Sequence, residues 1–231
     1  MSESPGHRLT LEEHGATHFP AVIDAATCRV IAAACTGSAQ TVGRRVFGNS
    51  ALQAILGPRG PIGAIATAHL GDHARPVRAL FFDKTAEKNW AVPWHQDRTI
   101  AVRDRCDDTP GFGPWSRKNG VHHVEPPAQI LASMVTLRLH LDEVTETNAP
   151  LLIACGSHRL GRIPQRDVAY VVARHRMHMC GASIGDVWAF ATLIVHASRR
   201  AHADDHNRHR RVLHVDYANH PLPHGLEWAG I

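Results

Sequence analysis

From Pro76 onward the chain breaks into short apolar runs separated by turn residues, with no long helical pattern between them. The runs read as strands over 77–83, 90–102, 130–141, 151–154, 168–179, 186–195 and 211–217, punctuated by Asn148, Pro150, Gly156, Gly161, Pro164, Gly181 and Gly185. Short strands at such intervals predict a sandwich or a barrel. Consecutive strands without intervening helices disfavour a doubly wound α/β sheet.

The part before Pro76 reads as helical packaging. A short helix over 9–14 precedes Gly15, and Asp24 caps a helix running to Ala34, with Val30, Ile31, Ala34 and Cys35 as its apolar stripe. Two further short helices are expected over 50–56 and 62–70. With 231 residues, 44% of them hydrophobic, a single domain over 1–231 is expected: packaging over 1–75 and a β core over 76–218.

Several classes drop out. No apolar run approaches the ~18–20 residues of a membrane span, and the N-terminus MSESPGHRLT lacks a basic-then-apolar leader. Cys28, Cys35, Cys106, Cys155 and Cys180 are odd in number and form no C-x-x-C pair, which predicts free thiols and a cytoplasmic setting. The net charge of +4 gathers over 199–211, where Asp204 and Asp205 interrupt the basic residues and no aromatics interleave. That is not a nucleic-acid patch. It reads as a solvated loop, or else as an electropositive rim attracting an anionic small molecule. The oligomeric state cannot be read from the residues.

Chemistry is suggested by His-x-Asp pairs. With 19 His and 13 Asp, chance alone would give roughly one such pair, and the chain has four: His95/Asp97, His140/Asp142, His202/Asp204 and His214/Asp216. The last two sit too near the C-terminus to be followed by a distant ligand. The second has 53 residues before His196, which is feasible but tight, whereas the first follows Pro93-Trp94 and leaves room, 98 residues, for most of a barrel. On an extended strand His95 and Asp97 would share a face. A third ligand, His196, would complete a two-His-one-carboxylate set, which suits non-haem Fe(II) and leaves three positions open. The order strand, His-x-Asp, long loop, several strands, His, then Arg is what a double-stranded β-helix needs.

These pieces together resemble the phytanoyl-CoA dioxygenase family of Fe(II)/2-oxoglutarate oxygenases. The resemblance is carried by Leu80-Phe81-Phe82-Asp83-Lys84, Val92-Pro93-Trp94-His95-Gln96-Asp97, His140-Leu141-Asp142-Glu143, Asn148-Ala149-Pro150-Leu151 with Gly156-Ser157-His158-Arg159, Gly185-Asp186-Val187, and His196-Ala197-Ser198 with Arg210-Arg211. Ala149 and Cys155 depart from the family's usual Gly and Pro. The resemblance implies a mainly β, cupin-like jelly-roll barrel packed with N-terminal helices. It implies His95, Asp97 and His196 as catalytic iron ligands, and 2-oxoglutarate as co-substrate, held by Arg210, Ser198 and Lys84 with Arg138 beside it. Periodicity leaves Arg211 open as the clamp, because it shares a face with Leu213, Val215 and Tyr217. The expected reaction converts 2-oxoglutarate to succinate and CO2 and hydroxylates a small molecule. Asp97 argues against halogenation, since related halogenases leave the carboxylate place vacant. Desaturation and ring closure stay open. The stretch over 103–127 is expected to be an irregular lid offering Lys118, His122 and His123. The alternatives are a cupin-like metal enzyme without 2-oxoglutarate, which would not need Lys84, Arg138 and Arg210, and a non-catalytic binding barrel.

Overall fold

The computed structural model describes residues 8–36, 43–48, 50–85, 87–202 and 209–231. The helices are α1 (Leu11–His14), α2 (Ala25–Cys35), α3 (Ser50–Leu56), α4 (Pro61–Leu70), α5 (Ala128–Ala132) and α6 (Val168–Arg174). The first strands are β1 (Ala16–Phe19), β2 (Arg44–Arg45), β3 (Arg75–Lys84), β4 (Val92–His95) and β5 (Ile100–Val102). Then come β6 (Trp115–Lys118), β7 (Val121–Val124), β8 (Val135–His140) and β9 (Leu151–Ala154). The last four are β10 (Met177–Cys180), β11 (Val187–Ala191), β12 (His196–Ser198) and β13 (Arg210–Ala218).

A six-stranded sheet in the order β1-β11-β8-β13-β3-β2 and a four-stranded sheet in the order β10-β9-β12-β4 form the two walls of a jelly roll. Alternation along β8 decides which face goes where. Val135, Leu137 and Leu139 point outward with Leu213, Val215 and Tyr217 of β13, against Ile31, Leu52, Leu56 and Ile62 of the N-terminal helices. Each such side chain, fully buried, contributes roughly 1.5–3 kcal/mol. The alternate residues, Thr136, Arg138 and His140, point into the barrel, and there the sheet is polar although buried.

Several expectations need correction. The N-terminal segment is not purely helical: β1 pairs with β11 and β2 with β3. Along α2 the buried residues are Cys28, Ile31, Ala32 and Cys35, while Val30 is exposed. The segment 168–179 is helix α6 followed by β10. Its valines suggested a strand, but Val168, Val171 and Val172 recur at helical spacing and pack on Ala154, Ile163 and Val195. Residues 130–132 belong to α5. The stretch 103–127 is not irregular: β7 pairs with β5 on one side and β6 on the other in a third sheet, and Phe112 and Trp115 pack near Leu131 and Trp228. No helix among the described residues is long and apolar enough to cross a membrane, and the five cysteines are free.

Candidate active site

The barrel opens onto a cavity of about 640 Å3, part of it open to solvent, walled by both sheets. His95 ends β4 and His196 begins β12, and the two are direct antiparallel partners. Their rings therefore meet, with centroids 4.3 Å apart. Asp97 lies beyond the strand, so the shared-face argument does not describe it. The strand stops because Gln96 turns inward. Its amide donates to the Gly161 and Leu193 carbonyls at 2.8 and 2.6 Å, and its oxygen accepts from the Ile163 N–H at 2.8 Å. The ligand atoms of His95, Asp97 and His196 nevertheless all lie within 4.8 Å of one another and can hold one metal ion.

The protons are arranged for that task. His95 Nδ1 bonds the Pro93 carbonyl at 2.8 Å and His196 Nδ1 bonds the Ile194 carbonyl at 3.0 Å. A carbonyl only accepts, so the hydrogen sits on Nδ1 and each Nε2 keeps its lone pair for a metal. Burial pulls His196 down to about 4 against the opposing effect of Asp97, so its ring is neutral at neutral pH. Burial alone would raise Asp97, but His196, Arg78 and His214 outweigh it and hold the carboxyl below its ordinary range. The set offers an Nε2 from each imidazole and one carboxylate.

The other His-x-Asp pairs have different partners. Asp142 is engaged by Arg211, and Asp216 accepts from His214 Nε2 at 3.1 Å and Thr136 at 2.9 Å while pairing with Arg78. Asp204 lies outside the described residues.

Lys84, Arg138 and Arg210 all stand on the cavity wall, from β3, β8 and β13, only 3, 8 and 3% exposed. The Lys84 ammonium donates to three neutral oxygens: the Trp90 carbonyl at 2.7 Å, Ser198 Oγ at 3.0 Å and the Arg199 carbonyl at 3.0 Å. Among the described residues no carboxylate pairs with Arg138 or Arg210, and Nε of each is buried without a partner. Burial, with Arg210 and Arg138 adding, brings Lys84 down to about 7. Burial likewise brings Arg210 to about 9 and Arg138 to about 10. Unpaired buried cations are costly. A wall that keeps them fits an anion beside the metal.

Arg211 is directed elsewhere. Its guanidinium grips Asp142 through Nε at 2.8 Å and a terminal nitrogen at 2.6 Å, on the outward face of β13. Phe82, Trp90, Val92 and Leu151 supply the apolar wall, and Lys118, His122 and His123 are not on it. Sequence reasoning missed two groups. Gln96 was visible only as the middle of the motif, and His214, passed over as a metal ligand, borders the cavity instead.

The family model described as phytanoyl-CoA dioxygenase (PhyH) matches residues 11–211. Among solved structures, the non-haem α-ketoglutarate-dependent carbocyclase SnoK of nogalamycin biosynthesis is 17% identical, with a TM-score of 0.61 over 90% of this chain and 80% of that one. EctD from S. alaskensis with 2-oxoglutarate and 5-hydroxyectoine is 15% identical, with a TM-score of 0.63 over 90% and 73%. The epimerase SnoN, also of nogalamycin biosynthesis, is 15% identical, with a TM-score of 0.59 over 90% and 78%. At these identities the likeness is one of fold. No curated protein matches the chain.

Proposed function

The chain belongs to the phytanoyl-CoA dioxygenase family, and from this we propose that it is an Fe(II)- and 2-oxoglutarate-dependent dioxygenase that hydroxylates a small molecule, releasing succinate and CO2. The observation that carries the reading is a His-Asp-His triad opening onto a cavity whose buried arginines have no carboxylate partner among the described residues. His95, Asp97 and His196 would hold the iron, which when bound supplies dioxygen activation coupled to oxidative decarboxylation.

The chain's own side chains do the rest. Arg210 offers parallel N–H donors to the far carboxylate of the co-substrate. Lys84 and Ser198, already bonded to each other, add charge and orientation at that end. Arg138 stands nearer the triad than this group, since its strand neighbour His214 approaches Asp97. Phe82, Trp90 and Leu151 keep the wall dry around these charges, which strengthens them. The EctD structure with 2-oxoglutarate, similar in fold, supports the choice of co-substrate. Hydroxylation rests on Asp97 filling the third ligand place; the carbocyclase and epimerase among the similar folds make ring closure and epimerisation the competing outcomes. A metal enzyme without 2-oxoglutarate would have no use for the unpaired arginines. The free cysteines favour a cytoplasmic setting, and no nucleic acid is required.

Purified protein with Fe(II) and ascorbate should convert 2-oxoglutarate slowly to succinate even without a second substrate. His95→Ala and Asp97→Ala should each abolish this, a loss beyond the roughly 10–100-fold typical of residues that only support a ligand. Succinate formation unchanged in both variants would end the reading.

A further inference from the structure

The charge on the cavity wall constrains the second, reacting substrate. Among the described residues three cations, Lys84, Arg138 and Arg210, line the cavity with a single carboxylate, Asp97. On the dioxygenase reading, a divalent metal adds two positive charges and the doubly charged co-substrate removes two. Loading both therefore leaves the excess of two where it was. The shift of Lys84 to about 7 trims that excess toward one at neutral pH, while Arg210, at about 9, and Arg138, at about 10, stay charged. Among the described residues the nearby carboxylates bond other partners: Asp216 pairs with Arg78 and Asp142 with Arg211, and Asp83 is hydrogen-bonded to His209. A buried excess of this kind calls for one more anion.

Position selects the cation that would meet it. Arg210 faces Lys84 in register, and Lys84 bonds Ser198, so these three form one station. Arg138 faces His214, four residues further along β13 than Arg210, or about 13 Å at a strand's rise. Arg138 also borders the adjoining niche beside Asp97, His196, Thr136 and Thr192, which none of the other three residues reaches. Its place on β8 is thus at the triad end of the cavity, although its charge is also felt at Lys84 and Arg210.

We propose, resting on the dioxygenase reading, that the reacting substrate is a small carboxylic acid and that Arg138 receives its carboxylate. Arg138 thereby moves from beside the co-substrate, where the sequence set it, to the substrate. The two parallel N–H donors of a guanidinium suit that group, and the chain's net charge of +4 favours its approach.

The test is anaerobic calorimetry on protein loaded with Mn(II) and saturating 2-oxoglutarate, titrated with acetate and with its neutral isostere acetamide. Acetate should bind and acetamide should not. Arg138→Gln should weaken acetate binding by roughly tenfold or more and change 2-oxoglutarate affinity by less than about threefold. Equal binding of acetate and acetamide would overturn the proposal, as would an Arg138→Gln loss of 2-oxoglutarate affinity matching that of Arg210→Gln. Should Arg138→Gln fail to fold, the acetate and acetamide titrations of the wild type decide alone. Wild-type protein that binds no 2-oxoglutarate would overturn the underlying reading, a result distinct from one in which 2-oxoglutarate binds and acetate does not.

Discussion

Arg210 and Arg211 are chain neighbours on β13, yet they live in opposite worlds. Arg211 turns outward, half in solvent, and its bonds to Asp142 raise its affinity for the proton. Arg210 turns inward, is 3% exposed, and has no carboxylate partner among the described residues. One guanidinium is satisfied by the fold and contributes to holding it. The other is left by the described residues without a carboxylate, at a cost that an anion in the cavity would offset. The same contrast runs the length of the strand: Leu213, Val215 and Tyr217 seal against helices, whereas His214 borders the cavity.

The contrast can be broken by experiment. Arg210→Ala should raise the KM for 2-oxoglutarate about 10–100-fold, the range of one or two hydrogen bonds to a charged group. It should leave the melting temperature of the unloaded protein unchanged or higher, because an unpaired buried charge is gone. A fall in that temperature with an unaltered KM would mean that Arg210 is structural after all.

Lys84 gives the next largest effect, through pH. Its proton binds more weakly in the fold, at about 7, than at the ordinary 10.5 of an unfolded chain. Between pH 7 and 9 the unfolded state therefore holds a proton that the folded state has shed, and stability rises with pH by up to about 1.4 kcal/mol per unit. Below 7 the full penalty of the buried charge applies. Urea unfolding of the wild type and of Lys84→Met across this window should differ by that slope. Parallel curves would mean that Lys84 keeps its charge. The smallest effect belongs to Arg211→Ala, expected to lower stability by about 1 kcal/mol with no change in KM.

Much of this was legible in the residues. Spacing singled out His95/Asp97 among four His-x-Asp pairs, and the structure brings both to His196. A sandwich or barrel followed from the run of short strands, and the order of the motifs with the family resemblance made it a jelly roll. What stayed hidden was hidden for physical reasons. Both faces of β13 are buried, one under helices and one around a polar cavity, so alternation could not say which was the interior, and Arg211 stayed open beside Arg210. Helix α6 was masked by its valines, whose β propensity yields to packing against Ile163 and Val195. The β6–β7 hairpin carries few apolar residues beyond Trp115, Val121 and Val124, too few for a pattern. The end of β4 at His95 depends on hydrogen-bond partners for Gln96 that lie more than sixty residues away.

The Gln96 side chain has one more consequence. By stitching the turn after His95 to backbone at Gly161, Ile163 and Leu193, it fixes the spacing of all three ligands through the folded chain itself. In small zinc domains the ion must assemble its own cage, and capture and folding are a single event. Here the cage stands beforehand, so stripping by a chelator should be fully reversible, an empty but intact scaffold waiting to be recharged.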